Sequence, residues 1–210
     1  MLDVHPPEHG IHGSRDFFLH LFTITIGLLI ALGLEAAVEA VHHRHQREEA
    51  EATIRQELTD NRTKLLKMQS NTATEIKNLT LALAFVEDLR SGKKDDPRSI
   101  QLGFNADPLQ SAGWATASAT GALSFMPYNE VQNFATAYQE QQNYEDAVAR
   151  ALGHYEVLST YLIHNADPRG LNPHDIDTAI PDLRLALADL AAMSDWGRGT
   201  LATYNDALKR

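Results

Sequence analysis

Residues 17–34 read Phe-Phe-Leu-His-Leu-Phe-Thr-Ile-Thr-Ile-Gly-Leu-Leu-Ile-Ala-Leu-Gly-Leu and contain no Asp, Glu, Lys or Arg. As an α-helix they would extend for about 27 Å, close to the roughly 30 Å hydrocarbon core of a bilayer. Ser14 is placed to cap such a helix, and alanines and valines continue the apolar surface to residue 41. The sequence therefore predicts a transmembrane helix with an interfacial extension over residues 17–41, after a short His- and Pro-containing tail over 1–16.

A cleavable signal peptide is the main alternative interpretation of this apolar stretch. Its amino-terminal region would have Arg15 as its only basic residue, directly followed by Asp16, and its apolar core would be too long. Val38-Glu39-Ala40 would also be a poor cleavage site. We therefore expect a single-pass membrane protein.

The orientation in the membrane is predicted from the basic residues on the two sides of the span. Arg15 is the only one on the amino-terminal side, whereas Arg44, Arg47 and Arg55 follow the span. Because positive residues favour the cytoplasmic side, we expect a cytoplasmic C-terminal domain, with a periplasmic one as the alternative.

Composition excludes several classes of partner and chemistry. The formal net charge is −10, and the basic residues form no continuous stripe, so nucleic acid is not an expected partner. Cysteine is absent, which excludes disulfides, thiolate catalysis and cysteine-based zinc sites. The expected partners are membrane lipids and either other membrane subunits or a second copy of the chain.

The remaining residues, 42–210, have the pattern of an all-α domain. No Pro lies between Pro7 and Pro97, and apolar residues recur at heptad spacing up to about Arg90. The predicted helices are 42–90, 109–124, 129–164 and 180–208, the last opened by Pro181. Leu58, Leu65, Thr72, Leu79 and Val86 are the predicted core positions of the first helix. We expect one long helix that continues from the transmembrane segment, and an antiparallel helical bundle.

One predicted helix has an interrupted apolar stripe. In the helix 129–164 the stripe lapses at Gln141, Gln142 and Glu145, which occupy the positions that would continue it. Two interpretations remain open at this point: a helix whose middle is partly solvated, or a shift of the buried face.

Histidine is the unusual residue in this chain, with ten copies, six of which lie near the two ends of the apolar stretch. His20 lies inside the predicted span, where an ionisable residue is a candidate cofactor ligand, although a neutral His reaching the interface is the simpler interpretation. Glu39 and His42 have the Glu-x-x-His spacing of di-metal bundles, and His45 is a further candidate ligand. A second such motif is missing, so we predict no metal site and no bound cofactor.

Small residues indicate where helices approach closely. Gly27 and Ala31, and likewise Gly33 and Ala37, are separated by four positions on the predicted span, a spacing that permits close helix packing. Trp114 and Gly121 are the corresponding candidates in the short helix. A pocket lined by Trp114, Thr120, Gly121 and Tyr128 is the alternative to a tight crossing there.

Several segments together resemble a family of uncharacterised bacterial single-pass membrane proteins with helical domains. They are His5-Pro-Pro-Glu-His9, Asp16-Phe-Phe-Leu-His20, Gly27 to Glu35, His42-His-Arg-His45, Glu57-Leu-Thr-Asp-Asn-Arg62, and Trp114 followed by Thr120-Gly-Ala-Leu123. The resemblance implies a bacterial, membrane-anchored helical domain, and with the predicted span it implies a location in a bacterial inner membrane. It implies no catalytic residue.

The functional expectation follows from the anchor and from the missing reactive motifs. No Gly-x-Ser-x-Gly elbow and no phosphate-binding Gly-rich loop occur in the sequence. We therefore expect a non-enzymatic accessory or scaffold subunit of a bacterial membrane complex, such as a respiratory or photosynthetic assembly. The alternatives are a membrane-anchored sensor or signal-relay bundle, and a helical metal or haem protein.

Overall fold

The computed structural model describes residues 13–93, 102–160 and 170–209. Across these ranges the chain is helical, without a β-strand, and confirms the predicted all-α class. The helices are α1 (Ser14–Arg90), α2 (Ala112–Ala119), a 3-10 helix (Ala122–Phe125), α3 (Tyr128–Leu158) and α4 (Pro173–Leu208). The tail histidines His5, His9 and His12, and the predicted end of the third helix at 164, lie outside the described residues.

The chain divides into two compact units, Met1–Glu48 and Glu49–Arg210. In the first unit, α1 includes an 18-residue window that is apolar and long enough to cross a membrane, and none of this window is buried. Its two threonines satisfy their hydroxyls within the helix: Thr23 and Thr25 donate to the carbonyls of Leu19 and Leu21 at 2.9 and 2.8 Å. Apart from His20, the exposed side chains of this segment are therefore apolar or have their hydroxyls satisfied within the helix.

The second unit is a bundle whose core includes the heptad positions of α1. The predicted residues of that repeat are all buried: Leu58, Leu65, Thr72, Leu79 and Val86. Apolar side chains of α3 and α4 complete the core, among them Phe134, Leu158, Leu183 and Leu190. A seven-residue repeat returns to the same face of a helix, which is why this pattern identified the buried face correctly.

The end of α1 is a Schellman turn at the predicted position. Gly92 has φ +85°, a left-handed conformation that suits glycine. The amide of Gly92 donates to the carbonyl of Leu89, and the amide of Lys93 donates to that of Asp88, both at 3.0 Å. These two hydrogen bonds satisfy carbonyls that the end of the helix leaves unpaired.

The long helices of the bundle do not all alternate in direction. Contacts between α1 and α3 advance together along both helices, through Glu57–Tyr138, Asn61–Gln141 and Met68–Tyr144. Contacts between α1 and α4 advance in opposite directions, through Arg55–Ala207, Gln69–Ser194 and Glu87–Arg184. Thus α4 is antiparallel to α1, as expected of the bundle, whereas α1 and α3 are parallel.

A non-helical segment makes the parallel arrangement possible. Residues 102–111, here called the crossover segment, run back along α1 toward its beginning in the bundle. Leu102, Phe104, Ala106 and Leu109 alternate along it as partly buried contacts of the core. The sequence analysis placed 109–111 in a helix, which the structure begins at Ala112.

The start of α4 corrects the sequence analysis. The helix begins at Pro173 rather than at 180–181, and Pro181 lies inside it. Asn172 caps the helix, because its side-chain oxygen accepts a hydrogen bond from the amide of Asp175 at 3.0 Å. The sequence Asn172-Pro173 combines a capping residue with proline in the first turn, which is a stronger start signal than Pro181 alone.

Candidate functional site

Side chains of α1 bind the backbone of the crossover segment and of the first turn of α2. Four backbone amides donate to these side chains: Asn105 to Glu75 Oε1 (3.1 Å), Asp107 to Met68 Sδ (3.2 Å), Gln110 to Asn61 Oδ1 (2.8 Å) and Gly113 to Glu57 Oε2 (2.8 Å). A non-helical backbone has no internal partners for its amides, so buried acceptors must come from elsewhere. Polar residues in the core face of α1 therefore hold the crossover segment in place.

Gln141 is the centre of a buried polar cluster that also contains Asn61 and Tyr204. Its Oε1 accepts hydrogen bonds from Asn61 Nδ2 at 3.1 Å and from the Tyr204 hydroxyl at 2.6 Å. Its Nε2 donates to the carbonyl of Gln110 at 3.2 Å and to Glu145 Oε1 at 3.1 Å. All four hydrogen-bonding positions of the amide are thus occupied, which makes its burial compatible with stability.

The position of Gln141 shows that a buried polar residue interrupts the apolar stripe. Gln141 is 3% exposed, and the buried face of α3 continues through it from Phe134 to Leu158. The middle of the helix is therefore neither solvated nor turned away from the core at this position. Sequence reasoning treated a polar residue as exposed, although its place in the helical repeat was that of a core residue.

Glu57 joins α1 to both α2 and α3. Besides the amide of Gly113, it accepts a hydrogen bond from the Tyr138 hydroxyl at 2.5 Å. Burial and this carboxylate raise the pKa of Tyr138 far above its usual range, so the phenol stays protonated and donating. The ring of Trp114 stacks on that of Tyr138, with centroids 5.3 Å apart and planes at 21°.

Glu75 and Tyr155 form a second buried polar region, at the other end of the crossover segment. Burial raises the pKa of Glu75, against the opposing effect of the hydrogen bond from the Asn105 amide. Burial and the charge of Glu75 also raise the pKa of Tyr155. Glu75 Oε2 and the Tyr155 hydroxyl have no hydrogen-bond partner among the described residues. The ring of Phe104 packs against Tyr155, with centroids 5.1 Å apart.

A groove opens beside the buried cluster, between α2 and α3. Its volume is about 470 Å³, and Ser111, Trp114, Tyr138, Gln141, Gln142 and Glu145 are among its lining residues. A neighbouring groove of about 340 Å³, lined partly by Asp107, Tyr144 and Val148, shares Glu145 with it. Thr120, Gly121 and Tyr128 do not line the first groove, so the pocket considered from the sequence has a different composition.

The histidine candidates lie in the first unit and do not converge. His20 is exposed on the apolar segment, and His42 Nε2 lies 3.0 Å from Gln46 Nε2. Glu39 approaches His43 at 3.8 Å, and not the expected His42. His45 is exposed. In the described ranges no three His, Asp or Glu side chains are grouped as metal ligands would be.

The small residues predicted to allow close helix packing lie in both units, and their surroundings differ. A Cβ atom added at Gly27 or Gly33 would meet nothing within 4 Å, and Ala31 and Ala37 are exposed, so none of these four residues packs closely against another described part of the chain. Gly121 also makes no close contact; its φ of +76° serves the turn between α2 and the 3-10 helix.

The close approach of α2 is at Gly113, which the sequence analysis did not identify. A Cβ atom there would lie 3.0 Å from Thr53 Cγ2 and 3.3 Å from Glu57 Oε2. Trp114, the other candidate, does pack tightly, on Tyr138. The residue pair Gly113-Trp114 therefore fixes α2 on the bundle. Gly113 leaves room for the close approach of α1, and the indole of Trp114 packs on Tyr138 of α3.

Comparisons with known proteins do not place the chain in a family. No protein-family model, curated protein or solved structure gives a significant match to the chain. The family resemblance drawn from the sequence therefore stays a prediction.

Proposed function

We propose that the protein is a non-enzymatic accessory or scaffold subunit of a bacterial membrane complex. The observation that supports it is the composition of α1, which carries a fully exposed apolar segment at one end and core residues of a bundle farther along. Such a helix combines an anchor with the structural element that organises a domain.

The exposed apolar surface is the argument for a membrane. Large side chains along the segment are more than half exposed, among them Phe18, Phe22, Leu28, Leu32 and Leu34. A continuous apolar surface of this length is not stable in water and requires lipid or another apolar partner. The apolar helix of a soluble core would instead be buried by its own chain.

The hydrogen bonds of the buried polar side chains support a structural role for the bundle. Glu57, Asn61 and Glu75 bind backbone amides, and Gln141 has every hydrogen-bonding position occupied within the bundle. Side chains held in this way fix the crossover segment and the helices around it in one arrangement. A rigid, membrane-anchored domain suits the docking or bracing of a partner subunit.

Membrane insertion is tested by alkaline extraction of membranes that contain the full-length chain. We expect wild-type protein to remain with the lipid, and a variant with Leu28→Arg and Leu32→Arg to be extracted, because each arginine costs about 2.5–3.5 kcal/mol near the centre of a span. The matched control has Leu66→Arg and Leu81→Arg at exposed bundle positions and should remain with the lipid. Extraction of wild-type protein would disprove the anchor.

Orientation and assembly need separate measurements. Because the chain lacks cysteine, Ser14→Cys and Ser70→Cys give single labelling sites on the two sides of the span. A cytoplasmic domain predicts that an impermeant maleimide labels Ser14→Cys, and not Ser70→Cys, from the periplasm. Purification of cross-linked protein in mild detergent should return a second subunit; recovery of only the free monomer would argue against the scaffold role.

A sensor or signal-relay bundle is the second candidate. The groove beside Trp114 favours it, because a half-buried carboxylate, an amide and two aromatic rings converge there. Specific binding of a small molecule in that groove, followed by a change in the association of the subunit, would support the sensor over the scaffold.

A further inference from the structure

Among the described residues that line the groove between α2 and α3, Glu145 is the one carboxylate. Glu145 also lines the neighbouring groove, so it lies where the two cavities meet. Its Oε1 accepts a hydrogen bond from Gln141, and its Oε2 has no hydrogen-bond or ion-pair partner among the described residues. One oxygen of this carboxylate is therefore fixed by the bundle while the other is available to a ligand.

The orientation of Glu145 is set by the bundle core. Asn61 and Tyr204 both donate to Gln141 Oε1, so the amide oxygen of Gln141 must point toward them. The amide nitrogen then points toward Glu145 and donates to it. Asn61 is itself fixed by the backbone of Gln110 at 2.7 and 2.8 Å. The carboxylate is thus preorganised by a chain of hydrogen bonds from fully buried residues, an arrangement that reduces the cost of binding.

The charge around the carboxylate is negative. The described residues that line the two grooves include no Lys or Arg, and Asp107 lines the second groove. Asp146 acts on Glu145 electrostatically as well. Lys64 of α1 uses its ammonium group on the crossover segment, where its Nζ donates to the carbonyl of Pro108 at 3.3 Å. A ligand that complements this environment carries positive charge.

Aromatic surface completes the site. Trp114 and Tyr138 line the first groove and hold each other by stacking, so the indole is fixed at the cavity wall. Aromatic faces attract ammonium groups and also contact apolar carbon. A bare divalent ion is a poor match, since it would require several oxygen ligands, and the described residues group no three carboxylates or histidines.

We propose that this groove binds a small organic cation, with its ammonium group at Glu145 and its carbon skeleton against Trp114. The cavity of about 470 Å³ is within the range of small-molecule sites. This inference goes beyond the scaffold role and does not depend on it, because every lining residue belongs to the unit Glu49–Arg210. Failure of either proposal leaves the other intact.

The test uses full-length protein in detergent and benzylamine as the probe, with neutral benzyl alcohol as its uncharged analogue. Binding is measured by calorimetry and by tryptophan fluorescence. We expect saturable binding of benzylamine at millimolar concentration or below, and binding of benzyl alcohol at least tenfold weaker. Equal binding of both compounds, or no binding of benzylamine, would overturn the proposal.

Substitutions in and outside the groove test where benzylamine binds. Glu145→Gln removes the charge while keeping a side-chain oxygen for Gln141, and should weaken benzylamine binding at least tenfold. Glu156→Gln removes an exposed carboxylate of the same helix and should leave the affinity unchanged. Trp114→Phe should abolish most of the fluorescence change while retaining binding by calorimetry. Unchanged affinity in a folded Glu145→Gln variant, with thermal unfolding like that of wild type, would exclude this groove.

Discussion

Asn61 in α1 and Gln141 in α3 hydrogen-bond to each other at 3.1 Å in the interior of the bundle, and both also bind the backbone of Gln110. Two parallel helices and the segment that connects them are thus joined at one point. Neither side chain is more than 3% exposed. Their stabilising effect is therefore large, because loss of one partner leaves buried groups unpaired.

Asn61→Ala should lower the free energy of unfolding by about 2–4 kcal/mol, since each buried group left without a partner costs about 1–3 kcal/mol. Chemical denaturation of the full-length chain in detergent, followed by circular dichroism, measures this. The control is Asn133→Ala at an exposed position of α3, which should change stability by less than about 0.5 kcal/mol. Equal effects of the two substitutions would show that the buried cluster is not formed.

Glu75 should make the bundle less stable as the pH rises. Burial raises the pKa of Glu75 in the folded state, so the folded chain binds its proton more tightly than the unfolded chain does. Stability then falls as pH increases from the unfolded value, about 4.3, through the raised folded value. Glu145 contributes in the same direction, because burial raises its pKa as well.

The contribution of Glu75 is isolated by comparing pH profiles of unfolding. The difference in stability between Glu75→Gln and wild type should increase as the pH rises from about 4 to about 8, because the variant has no charge to bury. Glu156→Gln, at an exposed position, should give a profile parallel to wild type. A Glu75→Gln profile parallel to wild type would mean that Glu75 is ionised at no cost.

The start of α4 is tested by two substitutions with opposite expected signs. Pro181→Ala should stabilise the protein by about 1–3 kcal/mol, because alanine restores the helical hydrogen bond that proline prevents. Asn172→Ala should destabilise it by about 1 kcal/mol through loss of the cap. If α4 began at Pro181, the first substitution would not stabilise and the second would be neutral; thermal unfolding distinguishes these cases.

Gly197 in α4 should be intolerant of alanine. An added Cβ would lie 1.8 Å from Gln69 Nε2, so the glutamine would have to leave its hydrogen bonds with Ser194, at 3.2 and 3.1 Å. We expect a net loss of about 1 kcal/mol, since two lost hydrogen bonds outweigh the gain in helix propensity.

Gly153→Ala is the matched control for Gly197→Ala. Gly153 is an exposed helical glycine with nothing within 4 Å of an added Cβ. At this position only the higher helix propensity of alanine matters, so Gly153→Ala should stabilise the folded protein by about 0.5–1 kcal/mol. Stabilisation by both substitutions, measured by chemical denaturation, would show that Gln69 does not pack over α4 as described.

Local patterns were sufficient for the helices and for part of the core. The heptad from Leu58 to Val86 identified the buried face of α1, and the end of the heptad spacing near Arg90 identified the end of the helix, because both signals depend only on neighbouring residues. Gln141, Asn61 and Glu75 were missed, since a polar side chain gives no sign of burial until its partner is known. Each finds that partner at least 30 residues away in the chain.

The sequence by itself determined that the chain is helical and that residues 17–34 form an apolar helical surface, since helical periodicity and uninterrupted hydrophobicity are local properties. Tertiary structure alone decided that α1 and α3 run parallel. The amides of the crossover segment need acceptors, and Glu57, Asn61, Met68 and Glu75 supply them along a single face of α1. That match between two distant segments, and the groove it creates at Glu145, exists only once the chain has folded.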